Sequence, residues 1–567
     1  MSQENDISFW RTNTSLTFRM GEGLDLDLLN EDRSVIHTGR LLERSDAGLG
    51  SGLWTEVFVL VLDNYLIVAQ REENNGVGRY RVLRQPIALE LVSVMGSADS
   101  PVQRRNSVFR RASAQRGNRT FTLRAGFPIM STSTEPSPVY AFTIRHSGKH
   151  GGFVTFFAET PRIRNEWKLK LEEASRSRKS AQVLRKILDV SVFAIDVSHL
   201  SSIAHISAPA HSERNTAFNA RITCSIPFTT ADGRDLVAIG CEAGVWFGLR
   251  HDPQPLHRVL NLEMVSQCAI LEEYGIFLVL ADKSLYAYDL EALVPSSKRS
   301  APAARKTPQR LSGKSDVAFF RVGNANGTTF VIYAKRKRNE TTFRAFEPDI
   351  SKRTEKTPTL AELGLKEWFK IHTNFYIPCE CFDVIFLRRK IAIPCVEGFV
   401  IMMISDPYSV MLPHADARTY KPLLERCRSS RPRGMFRVSS EEFLLCYEDF
   451  GLYVDEHGDP SRPSIMIEWE GTAECAAHLP PYILLFNTNF IEVRHLQTGC
   501  LAQIFPGDGL RCLWDGRDRI ASYRGGMPPP PCVHGVMNSE PDIIVRSGVE
   551  ERPTALRVFD LIPIVSV

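Results

Sequence analysis

The sequence predicts a mainly β protein: a small β-barrel with a C-terminal helix, followed by a seven-bladed β-propeller. Three observations predict this fold class. Short apolar runs separated by polar turns recur through most of the chain, which is typical of β-hairpins. One amphipathic helix follows the first group of strands. Seven hairpins come after it at spacings of roughly 40 to 60 residues, the range of propeller blades with insertions.

Length and composition bound the classes of function. The 567 residues are too many for one ordinary core and predict several domains. Hydrophobic residues make up 43% and charged residues 24%, which is typical of globular proteins. The formal net charge is only +4, so a nucleic-acid partner is not expected. No apolar run approaches the roughly 18 residues that a membrane span needs, and MSQENDISFWR has no signal-peptide pattern.

The twelve cysteines are scattered, mostly within apolar runs, and no CxxC pair occurs. Cys379 and Cys381 form a CxC without a matching second half, so a zinc site is not predicted. We interpret the cysteines as reduced, buried thiols of a cytoplasmic protein, and we expect neither a metal nor a cofactor.

The first 180 residues contain strand candidates followed by one helix. RSVIHTGRLLER is the first candidate, and TEVFVLVLDNYLIVAQR forms a predicted hairpin that turns at Asp63-Asn64. The other candidates are QPIALELVSV, RTFTLRA, VYAFTIRH and GFVTFFAE. Thr160 is the expected N-cap of the helix, and Pro161 its first residue. An apolar face follows at helical spacing: Ile163, Trp167, Leu171 and Ala174.

Strands followed by one helix with a central Trp resemble a pleckstrin-homology domain, here over residues 32–180. The resemblance implies a bent, half-open barrel with the helix at one end. Many members bind phosphoinositides through basic residues of the first two strands. Arg40 and Arg44 lie on the first strand, but Thr55, Glu56 and Val57 stand where a strong binder has a basic pattern. We therefore expect weak electrostatic attraction to anionic lipids rather than tight headgroup binding.

The insertion of residues 101–119 differs in composition from the rest of this domain. With the preceding Ser100 it reads SPVQRRNSVFRRASAQRGNR, which has six Arg and no acid. Two Arg-Arg-x-Ser motifs end at Ser107 and Ser113, which suits a basophilic kinase. The candidate lipid-binding residues are Arg40, Arg44, Arg104, Arg105, Arg110 and Arg111. The insertion is either a charge-switchable contact with membranes or partners, or a solvated loop without a role.

Phosphorylation of this insertion is expected to weaken membrane attraction, because each phosphate adds roughly −1.5 to −2 charge. The double variant Ser107→Asp, Ser113→Asp should bind anionic vesicles more weakly than the wild type, most clearly at low salt. Vesicle co-sedimentation at two ionic strengths measures this, with Ser107→Ala, Ser113→Ala as the control. Unchanged binding by the Asp variant would remove the hypothesis.

The remainder of the chain contains the seven hairpins. In chain order they are DLVAIGCEAGVWFGL, IFLVLADKSLYAYDL, TTFVIYAKRKRNETTFRAF, KIAIPCVEGFVIMMI, FLLCYEDFGLYVDEHG, YILLFNTNFIEVRHL and DIIVRSGVEERPTALRVFDL. The fifth, Phe443 to Gly458, is rich in acids but lacks the ligand register of a calcium loop, so we interpret it as a hairpin with a solvated turn. We expect VSVFAIDVS, Val190 to Ser198, to pair with the terminal LRVFDLIPI and so close the ring.

The stretch from Phe443 to Phe505 closely resembles the citron-homology domain, and the likeness extends from Arg221 to Ile564. It implies a propeller over residues 221–567 with a connecting segment at 181–220. A pleckstrin-homology domain followed by a citron-homology domain is similar to the C-terminal half of fungal Rho-type guanine-nucleotide exchange factors. Residues 1–31 would then be a residual linker from a missing Dbl-homology domain, whose catalytic helices need on the order of 180 residues.

This resemblance implies a regulatory and scaffolding module that binds a Rho-type small GTPase and other signalling proteins through the propeller. An alternative is a module that anionic phospholipids recruit to the plasma membrane. Candidate partner-binding residues are Lys335, Arg336, Lys337 and Arg338. No nucleophile elbow, HExxH or Walker motif occurs, so we predict no catalytic residue, no metal site and no exchange activity of the chain alone.

Overall fold

The computed structural model divides into two compact units, with the boundary between Leu184 and Arg185. Both units are mainly β, as the sequence predicts. The structure describes residues 16–17, 33–45, 53–74, 77–96, 100–104, 137–149, 151–196, 221–230, 232–250, 256–295, 308–313, 316–349, 368–413, 421–462, 466–517, 531–538, 544–546, 549–551 and 556–564.

A sheet of ten strands forms most of the first unit. Its main path runs in the order Leu16–Thr17, Val77–Val82, Tyr65–Asn74, Leu53–Leu62, Val35–Ser45, Gly152–Ala158, Ser137–His146 and Val92–Val94. Two short strands are attached to this path: Ile87–Ala88 and Val102–Arg104. The predicted strand RTFTLRA lies outside the described residues.

The prediction of one continuous strand at QPIALELVSV is wrong. A 3-10 turn at Leu89–Leu91 divides it into Ile87–Ala88 and Val92–Val94. The first piece pairs with Tyr65–Asn74 and the second with Ser137–His146. The turn separates the two pieces, so that each can pair with a different strand of the sheet.

The helix of this unit spans Pro161–Leu184 and begins where the sequence predicts. Thr160 Oγ1 accepts the backbone N–H of Ile163 at 3.2 Å, which caps the first turn. The predicted apolar face packs on the sheet, with three residues fully buried: Trp167, Leu171 and Ala174. Gly39 leaves room for the indole, because a Cβ there would lie 3.1 Å from Trp167 Cζ2.

The second unit contains, within its described residues, seven four-stranded antiparallel sheets and one two-stranded ribbon. We number the sheets in order around the ring and give their strands from the inside outwards. Sheet 1 consists of Ile222–Thr229, Asp235–Cys241, Gly244–Leu249 and His257–Leu260. Sheet 2 consists of Val265–Leu271, Ile276–Ala281, Ser284–Asp289 and Gln309–Arg310. Sheet 3 consists of Val317–Ala325, Thr328–Lys337, Glu340–Pro348 and Phe369–Ile377. Sheet 4 consists of Ile385–Phe386, Ile391–Cys395, Gly398–Met403 and Asp406–Leu412. Sheet 5 consists of Pro432–Arg437, Glu442–Tyr447, Phe450–Asp455 and Met466–Glu468. Sheet 6 consists of Cys475–Leu479, Tyr482–Phe486, Phe490–His495 and Leu501–Pro506. Sheet 7 is Arg511–Trp514, Val533–Asn538, Leu556–Pro563, Leu188–Asp196.

The ring is closed, because consecutive sheets contact one another and the first strand of sheet 1 contacts the first strand of sheet 7. Sheet 7 joins the two ends of the propeller region. Leu188–Asp196 pairs with Leu556–Pro563, which pairs in turn with Val533–Asn538. This confirms the predicted pairing, with the N-terminal strand starting two residues earlier than expected. Hydrogen bonds between segments far apart in sequence therefore hold the seven-bladed propeller together.

The second strand of each sheet lies between two neighbouring sheets, so both of its faces are buried. Every residue of Ile276–Ala281 and of Ile391–Cys395 is buried. This is why continuous apolar runs, rather than alternating ones, mark the blades in the sequence. Six of the predicted hairpins are confirmed as the second and third strands of sheets 1 to 6.

The seventh predicted hairpin is wrong in its pairing. Ile544–Arg546 and Val549–Glu551 form a separate ribbon. The partner of Leu556–Pro563 is instead Val533–Asn538, VHGVMN, in which a buried His and a Gly interrupt the apolar pattern. The sequence analysis missed this strand because its core-facing residues are not all hydrophobic.

Two helices lie outside the sheets in the described part of the propeller. Asp289 caps the short helix Leu290–Leu293 by accepting the backbone N–H of Glu291 at 3.0 Å. Lys421–Ser429 lies between sheets 4 and 5 and buries Leu423 and Cys427. None of the described helices is long and apolar enough to cross a membrane.

Candidate functional site

The four predicted partner-binding cations lie at the turn between the second and third strands of sheet 3, and two of them are held within the propeller. Lys335 forms an ion pair with Asp316. Arg336 Nε donates to the carbonyl of Cys381 at 2.9 Å, and Arg336 Nη1 lies 3.4 Å from a carboxylate oxygen of Glu380. These two side chains fix the turn against neighbouring segments.

The other two cations, Lys337 and Arg338, are exposed at the tip, and Arg336 is also exposed although its guanidinium makes the contacts above. Arg338 has a φ of 55°, a left-handed conformation that the tight turn requires. Tyr376, on the outermost strand of the same sheet, is 68% exposed and pairs with Thr342, which in turn pairs with Lys335. The end of sheet 3 therefore presents two cations and one aromatic ring. Arg and Tyr are enriched at protein interfaces and among their energetic hot spots.

The predicted lipid-binding residues of the first unit are only partly described. Arg40 is exposed and lies 3.5 Å from Glu56 on the neighbouring strand, which offsets its charge. Arg44 is exposed, with its guanidinium 6.0 Å from the centre of the Trp54 ring. Arg104 ends the strand Val102–Arg104. The remaining candidates lie outside the described residues: Arg105, Ser107, Arg110, Arg111 and Ser113. Lipid binding thus stays a prediction.

A shallow groove of about 420 Å³ lies in the first unit, between strand Val92–Val94 and the second half of the helix. Its charged lining residues are Glu172, Arg176 and Lys179. All three lie on the helix, where they flank small and apolar side chains. This lining has no nucleophile beside a base, so it does not suggest catalysis.

Four charged side chains meet inside the ring at a place that the sequence did not predict. Arg321, on the first strand of sheet 3, donates to Asp383 at 2.6 Å and to Asp515 at 3.2 Å. Arg517 donates to the same two carboxylates, at 3.0 Å and 2.6 Å. We term these four residues the central charge network. Asp383 precedes sheet 4 and Asp515 follows the first strand of sheet 7, so the network joins opposite sides of the ring.

The network is balanced in charge. Burial works to raise the pKa of Asp515, but Arg517 and Arg321 outweigh it and hold that pKa well below its usual range. Burial works to lower the pKa of Arg517, while Asp515 and Asp383 raise it by more. Asp515 and Arg517 therefore remain ionised beside each other. Such a set is suited to holding sheets in place. Its members come from three separate segments of the chain, at Arg321, at Asp383 and at Asp515 with Arg517, so no spacing motif in the sequence indicates it.

A second buried polar cluster, also missed in the sequence, lies where sheet 7 meets sheet 1. Ser225 Oγ is 2.8 Å from His534 Nδ1, and Asp560 is paired with His534 across the sheet. These residue types form catalytic triads, but their exposures of 2%, 0% and 2% leave no access for a substrate. Cys532, His534 and Asp560 each offer a possible ligand atom, all within 4.8 Å of one another. Arg250, however, already supplies positive charge to Asp560 through an ion pair. We interpret the cluster as part of the ring closure.

The acid-rich stretch Phe443 to Gly458 is confirmed as a hairpin of sheet 5. Asp455 accepts two backbone N–H groups of the turn that follows it, each at 2.9 Å. Glu448 lies 3.2 Å from a guanidinium nitrogen of Arg433. These acids thus stabilise turns and ion pairs, and do not converge on one point as the ligands of a cation would.

Two family profiles match the chain. The profile described as the CNH domain matches residues 233–516, which is half of the chain. The profile described as a pleckstrin homology domain matches residues 35–175. Together they account for the propeller and for the barrel with its helix.

Curated relatives match both units. Rho1 guanine nucleotide exchange factor 1 of Schizosaccharomyces pombe is 28% identical over 535 residues, which cover 91% of this chain and 36% of the relative. RHO1 GDP-GTP exchange protein 2 of Saccharomyces cerevisiae is 24% identical over 524 residues, covering 89% of this chain and 35% of the relative. The chain thus spans about one third of the length of these relatives. A solved structure, the AfRom2 CNH domain, is 25% identical with a TM-score of 0.48, and the match covers 66% of this chain and 98% of that structure.

Proposed function

Because this chain belongs to the CNH domain family and also carries a pleckstrin homology domain, we propose that it is the regulatory, partner-binding region of a Rho-type guanine-nucleotide exchange factor. The observation that carries this proposal is the similarity to Rho1 exchange factors over about nine tenths of the chain. In this role the propeller binds a Rho-type small GTPase and other signalling proteins, and the chain by itself does not catalyse exchange.

The architecture of the propeller supports a binding role. Both polar clusters join different sheets, and the cluster of Ser225, His534 and Asp560 is closed to a substrate. A ring closed between distant segments is rigid, and it presents its turns on two sides, where loops commonly carry binding residues. A partner that docks on such a surface loses little affinity to ordering the protein.

Within this function, the tip of sheet 3 is the surface that we assign to the GTPase. Lys337 and Arg338 supply charge, and Tyr376 supplies a large, rigid contact surface. Lys335 and Arg336 hold the turn in position through their contacts within the propeller. Two of the four cations therefore contact the GTPase, and the other two hold the turn in position.

Reversing the charge of the tip is expected to weaken GTPase binding. The variant Lys337→Glu, Arg338→Glu should lower the affinity for a purified Rho-type GTPase by about tenfold or more, because like charges oppose the encounter and anchoring contacts are lost. Titration of the GTPase loaded with GDP or with a GTP analogue measures the affinity. A matched control is Arg388→Glu, Arg389→Glu. These two exposed cations lie at the turn between the first and second strands of the neighbouring sheet 4, on the other face of the ring, because successive turns of an antiparallel blade alternate between the two faces.

The outcomes of this titration are distinct. Loss with the tip variant and retention with the control support both the function and the surface. Equal binding by the tip variant and the wild type would refute the surface. A wild-type chain that binds neither loaded form of the GTPase would refute the proposed function itself.

A second proposed function is recruitment to anionic lipid at the plasma membrane through the first unit. The observation that favours it is Arg44, exposed beside the indole of Trp54, since a cation next to an amphipathic ring suits a membrane surface. Glu56 offsets the charge of Arg40, so the attraction would depend largely on the insertion of residues 101–119. The vesicle experiment with Ser107→Asp, Ser113→Asp tests this function.

A further inference from the structure

Cysteine pairs bridge the first strands of neighbouring sheets at two places in the ring. Cys224 in sheet 1 and Cys268 in sheet 2 pack in the same apolar cluster, and both of their sulfur atoms adjoin Gly240. Cys475 in sheet 6 and Cys512 in sheet 7 also pack against one apolar cluster. All twelve cysteines lie in the described part of the chain as free thiols. Both pairs therefore hold two thiols close together across a boundary between blades.

The space around the first pair is shaped for two sulfur atoms. Gly240 is paired with Cys224 across sheet 1. A Cβ at Gly240 would lie 2.5 Å from the sulfur of Cys224 and 3.4 Å from that of Cys268. Both sulfur atoms thus occupy the space that the missing side chain leaves. The sequence predicts reduced, buried thiols, and only the ring geometry brings these two together.

The environment of Cys224 favours its thiolate. The neighbouring thiol of Cys268 and nearby backbone N–H groups favour a charged sulfur here. The hydroxyl of Thr223 lies 3.8 Å from this sulfur but has closer acceptors in the carbonyls of Val265 and Gly240, at 2.9 Å and 3.1 Å. The thiol of Cys268 contributes most, and together the donors lower the pKa of Cys224 although burial opposes them. A stabilised thiolate next to a second thiol is the arrangement found in redox-active cysteine pairs.

We propose that Cys224 and Cys268 are a redox-active dithiol that closes to a disulfide between sheets 1 and 2 when the protein meets a peroxide. As whole residues, Cys268 has intermediate exposure and Cys224 is 7% exposed. In a reducing compartment the two cysteines remain thiols, and they form the disulfide when the concentration of peroxide rises.

The reaction balances with hydrogen peroxide as the oxidant. The Cys224 thiolate attacks one oxygen, the O–O bond breaks, and the departing hydroxide takes up a proton to form water. This leaves a sulfenic acid on Cys224. The sulfur of Cys268 then attacks the sulfur of Cys224, the S–O bond breaks, and a second water leaves with the thiol proton of Cys268. Two thiols lose two electrons in total, and one peroxide is reduced to two waters.

Other cysteine contacts in the propeller are less suited to this reaction. The neighbouring thiol and burial raise the pKa of Cys512 in the second pair well above its ordinary value, and they do the same for Cys268 in the first pair. The first pair differs in that the pKa of its other member, Cys224, is lowered. Burial raises the pKa of Cys379 to about 11 and that of Cys395 to about 12. Thiols of this kind remain protonated and react slowly. We therefore expect Cys224 and Cys268 to oxidise before the other pairs.

Treating the purified, reduced chain with increasing hydrogen peroxide tests the proposal. Peptide mass spectrometry without reduction should show the linked Cys224–Cys268 peptide at lower peroxide than any other disulfide. The cross-link should raise the thermal midpoint of the propeller by about 5 °C, and dithiothreitol should reverse this shift. Cys224→Ser and Cys268→Ser should each abolish the shift. Cys241→Ser, a buried cysteine in the same sheet, is the matched control and should retain it.

The proposal would be overturned by either of two results. One is that Cys224 and Cys268 remain alkylatable as free thiols after denaturation when other cysteines have already oxidised. The other is that the midpoint rises equally in the two Ser variants and in the wild type. Because each Ser variant changes one small side chain, its reduced form should melt near the wild type, which separates loss of the disulfide from loss of folding.

Discussion

A chain that ends at Ala555 is expected to lose the cooperative unfolding transition of the propeller. The truncation removes Leu556–Pro563, the strand that joins Leu188–Asp196 to the rest of sheet 7. It also removes three side chains that are completely buried: Val558, Phe559 and Leu561. Losing a buried apolar side chain costs about 1–5 kcal/mol, so three of them together with a strand of backbone pairing approach the total stability of a domain, about 5–15 kcal/mol. Differential scanning calorimetry of the full and truncated chains measures this.

A graded version covers the case in which the truncated chain does not accumulate. The ring of Phe559 packs over Gly535, where a Cβ would lie 2.4 Å from the ring. Phe559→Ala should therefore lower the free energy of unfolding by about 3–5 kcal/mol. Ile562→Ala on the same strand is the control, because Ile562 is 38% exposed and its loss should cost less than about 1 kcal/mol. A propeller transition unchanged by Phe559→Ala would show that the ring does not depend on this closure.

The parts of the fold that could be read from the sequence are those fixed by local patterns. Trp167 stands at helical spacing from its apolar neighbours, and Thr160 stands at the cap, so the helix was predictable from a few residues. The blades were predictable because their second strands, such as Ile276–Ala281, are buried on both faces and read as unbroken apolar runs. In both cases burial acts on residues that are neighbours in the sequence.

The secondary-structure predictions were wrong where the residues that contact a segment in the fold are distant from it in the sequence. Val533–Asn538 contains His534, which is buried beside Ser225 from the other end of the propeller, and this contact makes a polar residue acceptable in the core. The segment at Leu89–Leu91 turns because its flanking residues pair with two different strands. Local hydrophobicity cannot reveal either requirement, because both arise from topology.

The candidate site follows the same division. The cluster of cations at Lys335–Arg338 was visible in the sequence, since it is contiguous. Its division into positioning and exposed residues was not, because it depends on Cys381 and Asp316, which the fold brings to the turn. The central charge network and the dithiol were invisible for the same reason. Each of them assembles from the first strands of different blades or from residues beside them.

Replacing Arg517 with Met is expected to destabilise the propeller by about 3–5 kcal/mol, because it leaves one buried carboxylate, Asp515, and one partly buried carboxylate, Asp383, to share one guanidinium. In the wild type, Asp383 and Asp515 each accept hydrogen bonds from both Arg321 and Arg517. Met retains much of the apolar stem, so the loss is mainly one of charge. Chemical denaturation at pH 7 measures the change. Arg338→Met at the exposed tip of sheet 3 is the control and should stay within about 0.5 kcal/mol of the wild type.

The pH dependence separates charge from packing. In the wild type the folded pKa of Asp515 lies below its unfolded value of about 4, so its ionisation stabilises the fold above that pH and the stabilisation is lost as the pH falls towards the folded pKa. Without Arg517, burial dominates and the folded pKa rises, so protonation relieves the variant. The deficit of Arg517→Met should therefore be largest near pH 7 and shrink at pH 4. An equal deficit at both values would mean that Arg517 acts through packing, and a deficit below about 1 kcal/mol would mean that the network does not hold the ring.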